Sequence, residues 1–115
     1  THPWLAAGQG EGGTGQGLGW GLLEEVRWKA GGIWNPQLTN SITPPGVDPP
    51  PIRVAFVDNP YSRGPRGAKG VGELPMDAPA PAVVAAIAHA TGVWMDEIPV
   101  MPERLLKAMQ ARGSL

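Results

Sequence analysis

At 115 residues, with a formal net charge of −1 and no cysteine, the chain is at most one domain, without disulfides, thiolate metal sites or the bulk charge that nucleic acids attract. No apolar run reaches the ~18 residues of a membrane span, and no secretory leader pattern is present. Its 17 glycines and 14 prolines imply irregular structure, while a hydrophobic content of 42% and five tryptophans argue against disorder; loop-rich structure packed on a neighbour is expected.

Residues 7–21 are glycine-dense, and Leu22-Leu23-Glu24-Glu25-Val26 then gains apolar, helix-forming character. A helix is expected within 12–25, its glycines turned to a close neighbour. Each glycine costs a helix about 1 kcal/mol relative to alanine, so this one needs tertiary support. Glu25 to Lys29 alternates polar and apolar residues as a half-buried strand does, Ala30-Gly31-Gly32 reads as a turn, and Ile33-Trp34 as a return strand. Asn35 to Pro51 holds six prolines (Pro36, Pro44, Pro45, Pro49, Pro50 and Pro51) and reads as an extended connector. Ile52-Arg53-Val54-Ala55-Phe56-Val57 is the best strand pattern in the chain, with Ile52, Val54 and Phe56 on one face.

A Gly/Arg/Pro loop follows over 59–72. Pro79 to Thr91 is the best helix, with Ala80, Val83, Val84, Ile87 and Thr91 in one stripe, Asp77 or a neighbour as cap and Gly92 as stop. Pro102 to Met109 reads as a last helix, with proline first and an acid in its first turn. Met101 is a poor N-cap, so that helix frays unless packed.

Most motifs carry little chemistry. Gly10 to Gly15 matches G-x-G-x-x-G by spacing, but no strand precedes it and no βαβ unit surrounds it; no Walker A order is present. His2 and His89 have no metal-site spacing, and the helix dipole accounts for His89. The tryptophans are scattered as packing or docking residues are. Arg63, Arg66 and Lys69 form a basic cluster that is either a solvated loop or a site for a partner's acidic group, an anionic cofactor or a substrate. Gly67-Ala68-Lys69-Gly70-Val71-Gly72-Glu73 is different. Its glycines allow close approach to backbone, and one ionisable group stands at its end.

Gln9-Gly10-Glu11-Gly12-Gly13-Thr14-Gly15-Gln16-Gly17-Leu18-Gly19, followed by Glu24-Glu25, resembles the Q-x-x-G-G-x-x-Q-G-L-G…E-E segment of the molybdenum hydroxylases, the xanthine dehydrogenase and aldehyde oxidoreductase family. Gly67 to Pro75 resembles that family's G-A-K-G-V-G-E-L/P-P loop. Leu38-Thr39-Asn40 and Pro50-Pro51-Ile52 fall at its proline-rich connector, Ala78 to Ala82 and Ala90 to Val93 at its closing helix, and Ile98-Pro99 and Pro102-Glu103 at its tail. Gly15 and Gly10 depart from it, since the family often has larger aliphatic residues there.

The resemblance implies an α+β fold: the C-terminal segment of a large subunit's molybdopterin-binding domain, with a Gly-rich helix, a few strands and two C-terminal helices. Residues 1–115 would be incomplete alone, and Thr1 in place of a starting Met leads to the same expectation. It further implies that Glu73 is the general base of a hydroxylation that inserts water-derived oxygen into an aldehyde or N-heterocycle C–H bond. Gln16, Gly17, Lys69, Gly70, Val71 and Gly72 would contact a molybdopterin-type molybdenum cofactor shared with residues outside the chain. A [2Fe-2S] cluster and FAD are expected in partner subunits or domains. The isolated chain is expected to hold no molybdenum and to be inactive. A cytoplasmic location is expected from the absence of cysteine. The rival reading is a non-catalytic docking segment of a multi-chain complex; a free-standing pterin- or nucleotide-binding domain would need a complete pocket. The residues do not specify the substrate.

Overall fold

The computed structural model describes residues 2–37, 42–44, 46 and 49–113. Leu38, Thr39, Asn40 and Pro45 of the expected connector lie outside these residues. Helix α1 spans Pro3–Leu22, a two-residue hairpin joins β1 (Trp28–Lys29) to β2 (Gly32–Ile33), and three further helices follow: α2 (Leu74–Asp77), α3 (Pro79–Thr91) and α4 (Pro102–Arg112). Among the described residues none of these is long and apolar enough to cross a membrane.

Helix α1 starts nine residues before the expected window. Pro3 supplies the first helical φ, and His2 Nδ1 accepts the Leu5 N–H at 3.3 Å, so the start needs nothing from the glycine run. It stops at Leu22, where the Leu23 and Glu24 N–H groups both turn back to the Gly19 carbonyl. Gly10, Gly13, Gly17 and Gly21 recur along one face and are buried. A β-carbon on Gly10 would lie 2.9 Å from Val54, one on Gly13 2.7 Å from Pro75 Cβ, one on Gly17 3.0 Å from Met76 O, and one on Gly21 3.2 Å from Ala80 Cα. The missing side chains thus let α2, α3 and the Val54 segment sit against the helix backbone. That contact is the tertiary support which eight glycines in one helix require.

The hairpin turns on Ala30 (φ 50°) and Gly31 (φ 78°), the pair of positive φ values that a two-residue antiparallel connection needs. Trp28 pairs with Ile33 and Lys29 with Gly32. Asn35 secures its base. The buried side chain accepts the Arg27 N–H at 2.8 Å and donates from Nδ2 to the Glu25 carbonyl at 2.6 Å.

Three expectations need correction. Ile52–Val57 forms no strand, because no neighbouring strand pairs with it among the described residues; only the two short strands of the hairpin exist there. The "few strands" of the expected α+β fold therefore shrink to one small hairpin in a helix-rich chain. Asp77 does not cap α3. It ends α2, and α3 begins at Pro79 behind Ala78 without a side-chain cap, as a first-position proline with no N–H permits. The α3 boundaries and its stop at Gly92 (φ 71°) agree with the sequence reading.

Helix α4 also has no side-chain cap. Arg104 holds it instead, donating from Nη1 to the Pro99 carbonyl at 3.2 Å and from Nη2 to the Glu25 carboxylate, while Arg27 Nε donates to the same carboxylate at 2.8 Å. The Arg27 hydrogen bond, reinforced by Arg104 against a smaller cost of desolvation, holds the Glu25 carboxyl below its ordinary range. Val100 N–H donates to the Gly21 carbonyl at 2.8 Å and completes this clasp between the end of α1 and the start of α4.

The buried apolar core is small: Ala80, Val84, Val93 and Val100. All five tryptophans are exposed, from 48% at Trp20 to 82% at Trp4, so none is a core residue within this chain.

Candidate active site

The loop that carries Glu73 leaves a short 3-10 turn, Pro65–Gly67, and runs without regular structure through Ala68 to Val71. Glu73 sits at the N-cap position of α2, exposed, with no capping hydrogen bond from its side chain. The loop is fixed from α1. Gln9 Nε2 donates to the Gly72 carbonyl at 2.6 Å, across 63 residues of sequence. Just beyond Glu73, Pro75 and Met76 press on Gly13 and Gly17. The carboxylate is thus held on both flanks by one helix while its own atoms stay open.

Gly70 and Gly72 have ordinary negative-side or extended backbone, and a β-carbon on either would meet nothing within 4 Å. Neither φ nor packing inside the chain requires glycine at these positions. Their open faces, together with exposed Lys69 and half-buried Val71, leave main chain accessible to a flat group beside Glu73.

Gln16 lies on the same face of α1 as Gln9, seven residues on and about 10 Å along the axis. It is exposed and borders a cleft of about 720 Å³ with Glu11, Gly12 and Gly15 on one side and Pro44, Pro50 and Ile52 on the other. No hydrogen bond joins Gln16 to the Glu73 loop among the described residues. Gly17 is turned inward against Met76 and Pro79, where it sets the approach of α1 to α2. Lys69 borders a separate cleft of about 540 Å³ with Asp58 and Arg66. The structure therefore brings Gly72 and Glu73 together with Gln9 and leaves Gln16 and Lys69 at neighbouring clefts. The sequence reading gave Gln9 no role, because Gln9 lies before the helix expected within 12–25; only with α1 starting at Pro3 do Gln9 and Gln16 share a helix face. Among the described residues no group of three or more His, Asp or Glu side chains could hold a metal ion directly.

No protein-family model matches the chain. It is 37% identical over 114 residues to a putative xanthine dehydrogenase molybdenum-binding subunit, XdhA, of Escherichia coli, covering 97% of this chain and 15% of that protein. It is 43% identical over 63 residues to the aldehyde oxidoreductase of Megalodesulfovibrio gigas, covering 55% of this chain and 7% of that protein. Its fold superposes on quinoline 2-oxidoreductase from Pseudomonas putida 86 with a TM-score of 0.83 and 36% identity, over 94% of this chain and 14% of that one.

The chain belongs, as a segment, to the xanthine dehydrogenase and aldehyde oxidoreductase family. It spans 12–15% of the length of the curated relatives that it matches over most of its own length. The Gln9 to Gly19 helix and the Gly67 to Glu73 loop, far apart in the sequence of this family segment, are the two parts that the Gln9–Gly72 hydrogen bond joins.

Proposed function

We propose that this chain is part of a molybdenum-dependent hydroxylase that inserts water-derived oxygen into an aldehyde or N-heterocycle C–H bond, with Glu73 as general base. The observation that carries this reading is a carboxylate without a hydrogen-bond partner among the described residues, at the end of an open glycine loop positioned through Gln9 and the packed face of α1. A molybdopterin-type cofactor, when bound, would supply two-electron oxidation and acidify the water-derived oxygen. The residues fit such a group. Gly70, Val71 and Gly72 offer open main chain, Lys69 a cation, and Gln16 an amide that both donates and accepts, as a pterin edge demands. Gly17 serves the same contact by holding the helix that carries Gln16. Glu73 would take one proton within hydrogen-bond reach and release it to solvent through its exposed side.

The cofactor's remaining contacts would come from the rest of the large subunit, and the [2Fe-2S] and FAD groups from partner subunits or domains. Glu73→Gln in the assembled enzyme tests the reading. It should lower kcat by about 10²-fold or more with molybdenum content unchanged. A near-normal rate would remove Glu73 from the chemistry.

The exposure of Trp28 (70%), Trp34 (59%) and Trp94 (64%) favours a second reading, a docking segment in which Glu73 is inert. Molybdenum analysis of the native complex separates the two: stoichiometric metal supports the hydroxylase, and its absence supports docking alone.

A further inference from the structure

A cleft of about 450 Å³ opens where the end of α1, the start of α3 and the chain after α3 meet. Two close contacts build it. At Gly21 the absent side chain lets Ala80 of α3 come against the α1 backbone. The Val100 N–H, bonded to the Gly21 carbonyl at 2.8 Å, draws the later chain back to the end of α1. Gly92, in the left-handed region at φ 71°, turns the chain out of α3, and Trp94, Asp96 and Ile98 then line the cleft.

Its floor is apolar and packed: Ala80 and Val84 are buried. Two indoles, Trp20 and Trp94, line it and stay 48% and 64% exposed. Exposed Asp77, at the end of α2, and exposed Asp96 supply the charge. Neither forms an ion pair among the described residues, and no Lys, Arg or His lines the cleft. Neither Glu73 nor Gln16 borders it.

Each part selects a different property of the occupant. The volume is that of a small-molecule pocket, and the aliphatic floor takes an apolar body. Indole faces attract a cation, more strongly as it loses water. Two carboxylates repel an anion and leave a neutral molecule with their charge unanswered. A hydrated metal ion would use the carboxylates and leave the floor and the indoles unused. A planar amidinium or guanidinium both stacks on an indole and pairs with a carboxylate through two parallel hydrogen bonds.

We infer that this cleft is a binding site for a small organic cation, an amidinium or guanidinium carried on an apolar body. The body lies over Ala80 and Val84, and the charged end meets Trp94, Asp77 and Asp96.

Calorimetric titration of the native assembly with benzamidinium, and with neutral benzamide as its isostere, tests this without reference to turnover. One saturable site per chain is expected for benzamidinium, with benzamide at least about 10-fold weaker. Asp77→Asn with Asp96→Asn should weaken benzamidinium about 10-fold or more, and Trp94→Ala about 3-fold or more. All three residues are exposed, so these variants keep the packed floor. Equal affinity for the two probes overturns the proposal, as does benzamidinium binding that the variants leave unchanged. So does absence of binding, whether the cleft stays open or cross-links place an arginine of another polypeptide in it.

Discussion

Gln9 and Gly72 are joined by a 2.6 Å hydrogen bond from the Gln9 side-chain amide to the Gly72 carbonyl, one residue before Glu73. This is the one hydrogen bond that ties the 69–72 segment to the rest of the described chain. It makes the position of a proposed base depend on a helix more than sixty residues earlier.

Replacing Gln9 by Glu keeps the length and removes the donor at neutral pH, setting a carboxylate against the Gly72 carbonyl. In the assembled enzyme kcat should fall about 3- to 10-fold, the worth of one ordinary hydrogen bond, with amide exchange at 71–73 accelerated. An unchanged rate together with unchanged exchange would show that the loop is held by other means.

The glycines of α1 divide into packed and open positions, and substitution should separate them. Gly17→Ala places a β-carbon 3.0 Å from Met76 O and Pro79 Cβ, neither of which is a flexible side-chain end. It should destabilise by about 1–3 kcal/mol in spite of better helix propensity. Gly8 has nothing within 4 Å of such a carbon, and Gly8→Ala should gain up to about 1 kcal/mol. Chemical denaturation of both variants checks the order, and the reverse order would contradict the packing described here.

The Glu25 clasp carries a pH dependence of defined sign. Its carboxyl is held low in the folded chain by Arg27 and Arg104. The stabilisation is therefore complete above the ordinary glutamate value and is lost as pH falls below it through the depressed one. Unfolding measured across the acid range should show this loss, and Glu25→Gln should flatten it. Identical curves for the two proteins would mean that the clasp adds nothing to stability. Arg104 is part-exposed, so the effect should also weaken with added salt.

The sequence by itself determined the local elements whose causes are local. The apolar stripe and the Gly92 stop placed α3 to the residue, because periodicity and a left-handed C-cap are properties of short stretches. The Ala30-Gly31 turn and the last helix behind Pro102 were legible for the same reason. The resemblance of two motifs pointed to the family, and Glu73 stood out as the ionisable end of a glycine loop. Tertiary structure decided what depends on a partner. Ile52–Val57 has strand chemistry but pairs with nothing described, because a strand is a relation between two segments and only one is at hand. Asn35, read as the first residue of a connector, is the buried bracket of the hairpin, since its two hydrogen bonds reach back eight and ten residues. Gln9 came to Glu73 only through folding. No sequence spacing encodes that meeting, which follows from the depth to which Gly13 and Gly17 let Pro75 and Met76 approach α1.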